Sequence, residues 1–131
     1  MQNTCTVVEA VRLNDYAHSF ILEVGDMVPE TGQFIHIKCG HSRLLRRPIS
    51  ICDWQKGERE NLLRIIFEVR GEGTEWLSRR NAGDKLDVLG PLGHGFETDP
   101  KGRYLLVEGG IGVPPLLGCA RRTQDLSLIH I

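Results

Sequence analysis

Residues 44–54, LLRRPISICDW, decide the reading of this chain. Both ends are apolar, as in a strand bound for a core. Yet Arg46 and Arg47 stand side by side within it, and Pro48 and Ser50 follow. A strand that only filled a core would carry neither pair. Arginine presents a planar fork of donors that matches phosphate oxygens. Proline cannot donate to a ladder and belongs at an edge or bulge, where a ligand can approach the backbone. The combination predicts a strand with an anionic ligand lying along it. Strict alternation sends Arg47 and Ile49 to one face and Arg46 and Ser50 to the other. Ser50 then reaches the same ligand only through a kink at the proline or through its backbone amide. The plainer alternative is a surface arginine pair beside a strand edge.

The surroundings of this stretch read as further strands. TCTVVEAVRL (4–13), HSFILEV (18–24) and QFIHIKC (33–39) precede it, and LLRIIFEV (62–69) and KLDVLG (85–90) follow. In 62–69 the apolar Leu63, Ile65, Phe67 and Val69 alternate with Arg64 and Glu68, the period of a half-buried strand. Six strands with short connections predict a mainly β fold, an antiparallel sheet most economically closed as a six-stranded barrel. One helix, GTEWLSRRN (73–81), interrupts the series; Thr74 suits its N-cap, and Arg79 and Arg80 suit its last turn. Trp76 on that helix is expected to pack on the barrel.

Past ETDPKG (97–102) the style changes. RYLLVEGGIGVPPLLGCARRT (103–123) runs from a continuous apolar strand through glycines and prolines into a helical pattern, which belongs to a parallel α/β sheet. Gly110 and Gly112 fit the opening of a dinucleotide loop, after Gly109, and Pro114 is well placed at a helix start. One strand and one helix cannot complete a doubly wound domain. The last six residues, LSLIHI, are also the translation of a transposon end used in DNA library preparation. The division expected is therefore a barrel domain over 1–98, the start of a Rossmann-like domain over 99–125, and a non-native tail over 126–131, with the gene truncated.

Two other segments bear on function. RGEGTEWLS (70–78) frees the backbone at Gly71 and Gly73 just before a helix, whose first amides favour an anion, so a phosphate can sit on Gly73 and Thr74. GPLGHGF (90–96) places three glycines near the end of the sixth strand, where it is expected to line a cleft. Nothing points to side-chain catalysis: no serine elbow is present, and His18, His36, His41, His94 and His130 are scattered without metal spacing. The four cysteines, Cys5, Cys39, Cys52 and Cys119, form no Cys-x-x-Cys motif and read as reduced, mostly buried thiols. A net charge of −1 argues against a general nucleic-acid binder. Apolar runs are too short for a membrane span, and no secretory signal is visible, so a cytoplasmic protein is expected.

In this order, LLRRPISI, GEGTEWLS, GPLGHGF and GGIGVPPL resemble the ferredoxin–NADP reductase superfamily and, within it, the electron transfer subunits of dihydroorotate dehydrogenase B. The resemblance covers roughly residues 5–122. It implies a barrel that binds FAD and a Rossmann-like domain that binds NAD. It also implies a C-terminal segment whose four cysteines hold a two-iron two-sulfur cluster, ligands this chain does not contain. Such a subunit takes electrons from an FMN-containing catalytic partner and passes them through cluster and FAD to NAD in pyrimidine biosynthesis.

The resemblance further implies that Arg47, Pro48, Ile49 and Ser50 line FAD, with Arg47 on the pyrophosphate and Ile49 and Ser50 against the isoalloxazine. It makes Ile66, Phe67 and Glu68 a second lining stretch, and Gly73 and Thr74 the phosphate turn. Glu68 departs from the family pattern, where arginine is common, and a carboxylate beside phosphates is unfavourable. His94 stands where asparagine is expected. Two alternatives stay open: a flavin reductase subunit serving a hydrogenase, sulfite reductase or ferredoxin, and a non-catalytic barrel that only binds a partner.

Overall fold

The computed structural model describes residues 2–40, 45–95, 103–108 and 125–130. Six strands, β1 (Gln2–Arg12), β2 (Ala17–Glu23), β3 (Phe34–Lys38), β4 (Arg46–Gln55), β5 (Leu62–Glu68) and β6 (Lys85–Leu92), close into a barrel in the order β1-β2-β5-β4-β3-β6. Every pairing in it is antiparallel. The expected mainly β, six-stranded antiparallel barrel is what forms.

Alternation explains the closure. Leu63, Ile65 and Phe67 of β5 turn inward beside Phe20 and Leu22 of β2, Ile35 and Ile37 of β3, Ile49 and Ile51 of β4 and Leu86 and Val88 of β6. Closing the sheet removes the edges that an open one would expose. The Phe20 and Phe67 rings meet edge to face at 5.1 Å between centroids, a favoured aromatic geometry. Cys5, Cys39 and Cys52 are buried, as expected of structural thiols, and Cys119 lies outside the described residues.

The helix α1 (Glu72–Ser78) connects β5 to β6 and adds Leu77, which has no exposed surface, to the barrel core. Trp76 packs against the core, and the Arg80 guanidinium lies 4.1 Å over its ring. The helix begins before the expected cap. Gly71 is the N-cap and Thr74 is the third helical residue. The Thr74 hydroxyl reaches back to accept from the amides of Arg70 (2.8 Å) and Gly71 (3.1 Å), which moves the start of the helix toward the chain's beginning. Arg79 is the C-cap and Arg80 lies beyond it, so the last turn itself holds no basic residue.

Outside the barrel, β7 (Arg103–Glu108) is the apolar strand expected after the composition change. It pairs in parallel with β8 (Asp125–His130), from Arg103↔Asp125 to Glu108↔His130. A lone strand without a parallel neighbour was expected here; the neighbour is supplied by the segment that the sequence set apart as foreign. The helix expected between these strands, and the glycine loop at Gly109, Gly110 and Gly112, lie outside the described residues.

Candidate functional site: a cleft between splayed strands

β4 and β5 pair only over part of their length. Their register runs from Gln55↔Leu62 to Ile51↔Ile65 and ends there. Beyond it β4 turns to β3, pairing Ser50↔Phe34, Ile49↔Ile35, Pro48↔His36 and Arg47↔Ile37. β5 turns to β2, pairing Ile66↔Ser19, Phe67↔His18 and Glu68↔Ala17. The two strands therefore splay, and a cleft of about 240 Å³ opens between them. The local cause is in the sequence: Pro48 has no N–H to donate across the gap.

Pro48, Ile49 and Ser50 form one wall of the cleft, Ile66, Phe67 and Glu68 the other, and Arg70 and Thr74 its helix end. Two segments that are far apart in the chain and were singled out separately thus face each other. Their side chains play unequal parts. Pro48 and Ser50 are exposed, whereas Ile49 and Phe67 are core residues, 6% and 3% exposed. Ser50 needs no kink, because the splay brings its own face into the cleft.

Arg47 and Gly73 do not line the cleft but touch each other at the turn beside Thr74. A Cβ built on the buried Gly73 would lie 2.9 Å from Arg47 Nε and 3.0 Å from its Cγ. Only a residue without a side chain lets the arginine stem cross the first turn of α1 so closely. Arg46 takes the opposite face, as alternation predicts, and its Nη2 donates to Asp87 of β6 at 3.0 Å.

Arg70, which sequence reading did not select, is the addition the structure makes. Its Nη2 donates to Glu68 Oε2 at 2.7 Å inside the same cleft. The period-two spacing of Ile66, Glu68 and Arg70 is the signal that could have found it. Residues 90–95 form the end of β6 and the turn after it. Gln33 Nε2 donates to the Gly93 carbonyl at 3.0 Å, a Cβ on Gly93 would meet the Phe34 ring at 2.8 Å, and none of residues 90–95 lines the cleft.

His18 stacks on Phe67 behind the cleft wall, with ring centroids 5.6 Å apart. Burial, then the Arg12 guanidinium, hold its pKa below the usual histidine value. Burial pushes the Cys39 thiol up against the opposing pull of Arg47, and burial with Glu60 and Asp87 raises Cys5 to about 11. Burial and a raised pKa both disfavour the thiolate form. Among the described residues no His, Cys, Asp and Glu group could hold a metal ion, and no helix is long and apolar enough to cross a membrane.

Comparison with known proteins places this architecture. The electron transfer subunit of dihydroorotate dehydrogenase B (NAD(+)) from Geobacillus thermodenitrificans is 49% identical over 101 residues, 73% of this chain and 38% of that protein. Its counterpart from Bacillus mycoides is 44% identical over 117 residues, 82% of this chain and 44% of that one. Over 73–82% of its length the chain is similar to dihydroorotate dehydrogenase B electron transfer subunits. It spans about two fifths of the length of these family members.

Solved structures agree on the fold. An NADH-dependent reduced ferredoxin–NADP oxidoreductase, described for flavin-based electron bifurcation, is 29% identical with a TM-score of 0.82, over 95% of this chain and 49% of that one. The Amycolatopsis cytochrome P450 reductase is 25% identical with a TM-score of 0.82, over 99% of this chain and 43% of that one. The ferredoxin reductase in carbazole 1,9a-dioxygenase, at 20% identity, has a TM-score of 0.85 over 99% of this chain and 43% of that one. No family model matches the chain.

Proposed function

We propose that this chain is the flavin-binding portion of a dihydroorotate dehydrogenase B electron transfer subunit, with FAD bound at the β4–β5 cleft. Residues 1–98 form the FAD domain, and 99–125 begin a domain for NAD. In the complete protein, electrons released by dihydroorotate oxidation arrive from an FMN-containing catalytic subunit through a two-iron two-sulfur cluster and leave on NAD. The reaction belongs to pyrimidine biosynthesis and is carried out in the cytoplasm. Identity of 44–49% to subunits of this name supports this circuit over other reductase complexes.

One observation carries the flavin reading: the splay of β4 from β5 brings Pro48–Ser50, Ile66–Glu68 and Thr74 around a single opening. The residues present suit a dinucleotide. The walls are apolar with a few polar groups, the pattern of a cofactor cleft. Gly73 and the crossing Arg47 put a guanidinium beside the first turn of α1, where helix amides lack intrahelical acceptors. Arg47 would hold the pyrophosphate, and Pro48, Ser50 and Ile66 would bound the ring system. The cleft takes only part of a molecule the size of FAD and leaves the rest on the surface. Bound FAD supplies the redox chemistry; the chain supplies position, charge and a wall against water.

Titration of the purified chain with FAD, read by flavin fluorescence, tests this reading. Saturable binding that weakens about tenfold to hundredfold in Arg47→Ala is expected. A chain that binds no FAD would favour the barrel as a plain partner-binding module. The electron donor is tested by gene neighbourhood, where an adjacent gene for an FMN-containing dihydroorotate dehydrogenase is expected.

A further inference from the structure

Glu68 poses a difficulty for any anionic ligand in the cleft. Its side chain is 28% exposed and forms part of the wall, where a carboxylate repels phosphate across a partly desolvated gap. Arg70 follows one pleat further along the chain, lines the same cleft and binds that carboxylate at 2.7 Å. The arrangement is fixed from the backbone, because the Arg70 amide donates to Thr74 Oγ1 at 2.8 Å and so ties the residue to the first turn of α1. The Arg70 side chain is 71% exposed, and an ion pair so open to solvent adds little to fold stability. Its effect falls on the charge of the cleft. A guanidinium offers five donors, and the structure gives one of them to Glu68.

We propose that Arg70 is a positioning residue of the cofactor cleft: by pairing with Glu68 it cancels the carboxylate's repulsion and lets the phosphates of a flavin nucleotide settle at the helix end of the cleft, beside the first turn of α1. This rests on the flavin reading above. It adds a residue, and a coupling between two residues, on which the affinity of that site depends.

The test is a double-mutant cycle on the 131-residue chain, with FAD titration by fluorescence and circular dichroism to confirm folding. Arg70→Ala should weaken FAD binding about tenfold, because it leaves Glu68 uncompensated. Arg70→Lys should keep most of the affinity, since the charge remains. Glu68→Gln/Arg70→Ala should regain most of the loss, a rescue that a merely structural role for Arg70 would not give. The Arg70→Ala penalty should also shrink at high salt. Wild-type affinity in folded Arg70→Ala, or a loss that persists unchanged in the double variant, overturns the proposal while leaving the flavin reading intact. Absence of FAD binding by the wild-type chain overturns the flavin reading itself, and this inference with it.

Discussion

At the scale of single residues, the two neighbouring arginines divide their work by alternation. Arg47 leans over Gly73 at the cleft end, and Arg46 pairs with Asp87 on the outer surface. Arg47→Ala is expected to remove a charge-assisted hydrogen bond of roughly 1.5–3 kcal/mol to the FAD pyrophosphate, a tenfold to hundredfold loss of affinity in fluorescence titration. Arg47→Lys should recover part of it, because an ammonium keeps the charge without the fork. Arg46→Ala should leave FAD affinity close to wild type. His18 gives a second prediction. Its folded pKa lies below the ordinary value, so between the two values the unfolded chain binds more protons. The stability that neutral His18 contributes is therefore present above the ordinary histidine pKa and is lost as pH falls toward the folded one. His18→Gln should flatten the fall in melting temperature between about pH 8 and about pH 5. An unchanged slope would show that other groups set it.

At the scale of elements, α1 and its turn join the fold to the site. Gly73 is buried in the first turn because Arg47 crosses it, with its Nε where a Cβ would point. Gly73→Ala gains helix propensity of about 1 kcal/mol, and the atoms it meets, Nε, Cγ and Cδ, all belong to the Arg47 side chain, which must swing aside. Folding should therefore survive, with a melting temperature near or above wild type, while FAD affinity falls as Arg47 is displaced. A loss of both together would mean that the turn cannot adapt. The same turn shows where sequence reading stopped. Gly71 stands just before the helix, as read, whereas Gly73 lies inside its first turn. The helix start was not legible, because Thr74 serves as a cap from inside the helix, accepting from the two amides before it. A threonine at a helix start looks the same in sequence whether it precedes the first turn or folds back over it. Strand extents were legible because alternation is a local property: Leu63, Ile65 and Phe67 all turned inward as read.

At the scale of the whole molecule, the barrel and its site have one origin. Closure requires each strand to pair on both sides, and β4 and β5 meet that demand by sharing one half and parting over the other. The cleft is the place where they part. The residues themselves marked 48–50 and the family resemblance marked 66–68, but their meeting depends on strand order, which is a non-local property. The Glu68–Arg70 pair was missed for a different reason: a carboxylate reads as unfavourable until its partner is placed. The parallel pairing of β7 with β8 was likewise out of reach, since nothing local in the last residues specifies a partner. A smaller cleft of about 130 Å³, lined by Ile21, Asp53, Trp54, Gln55, Leu62, Leu63 and Arg64, sits where β4 and β5 remain paired. It has no glycine turn and carries the Asp53 carboxylate, which makes it the natural competitor against which to judge the flavin site. The central claim is that FAD binds where the strands part. Amide chemical-shift mapping of the isotope-labelled chain during FAD titration tests it most directly. The account predicts that the largest shifts fall on Ile49, Ser50, Ile66, Phe67, Glu68, Gly73 and Thr74; shifts centred on Asp53, Trp54 and Arg64, or none at all, would contradict it.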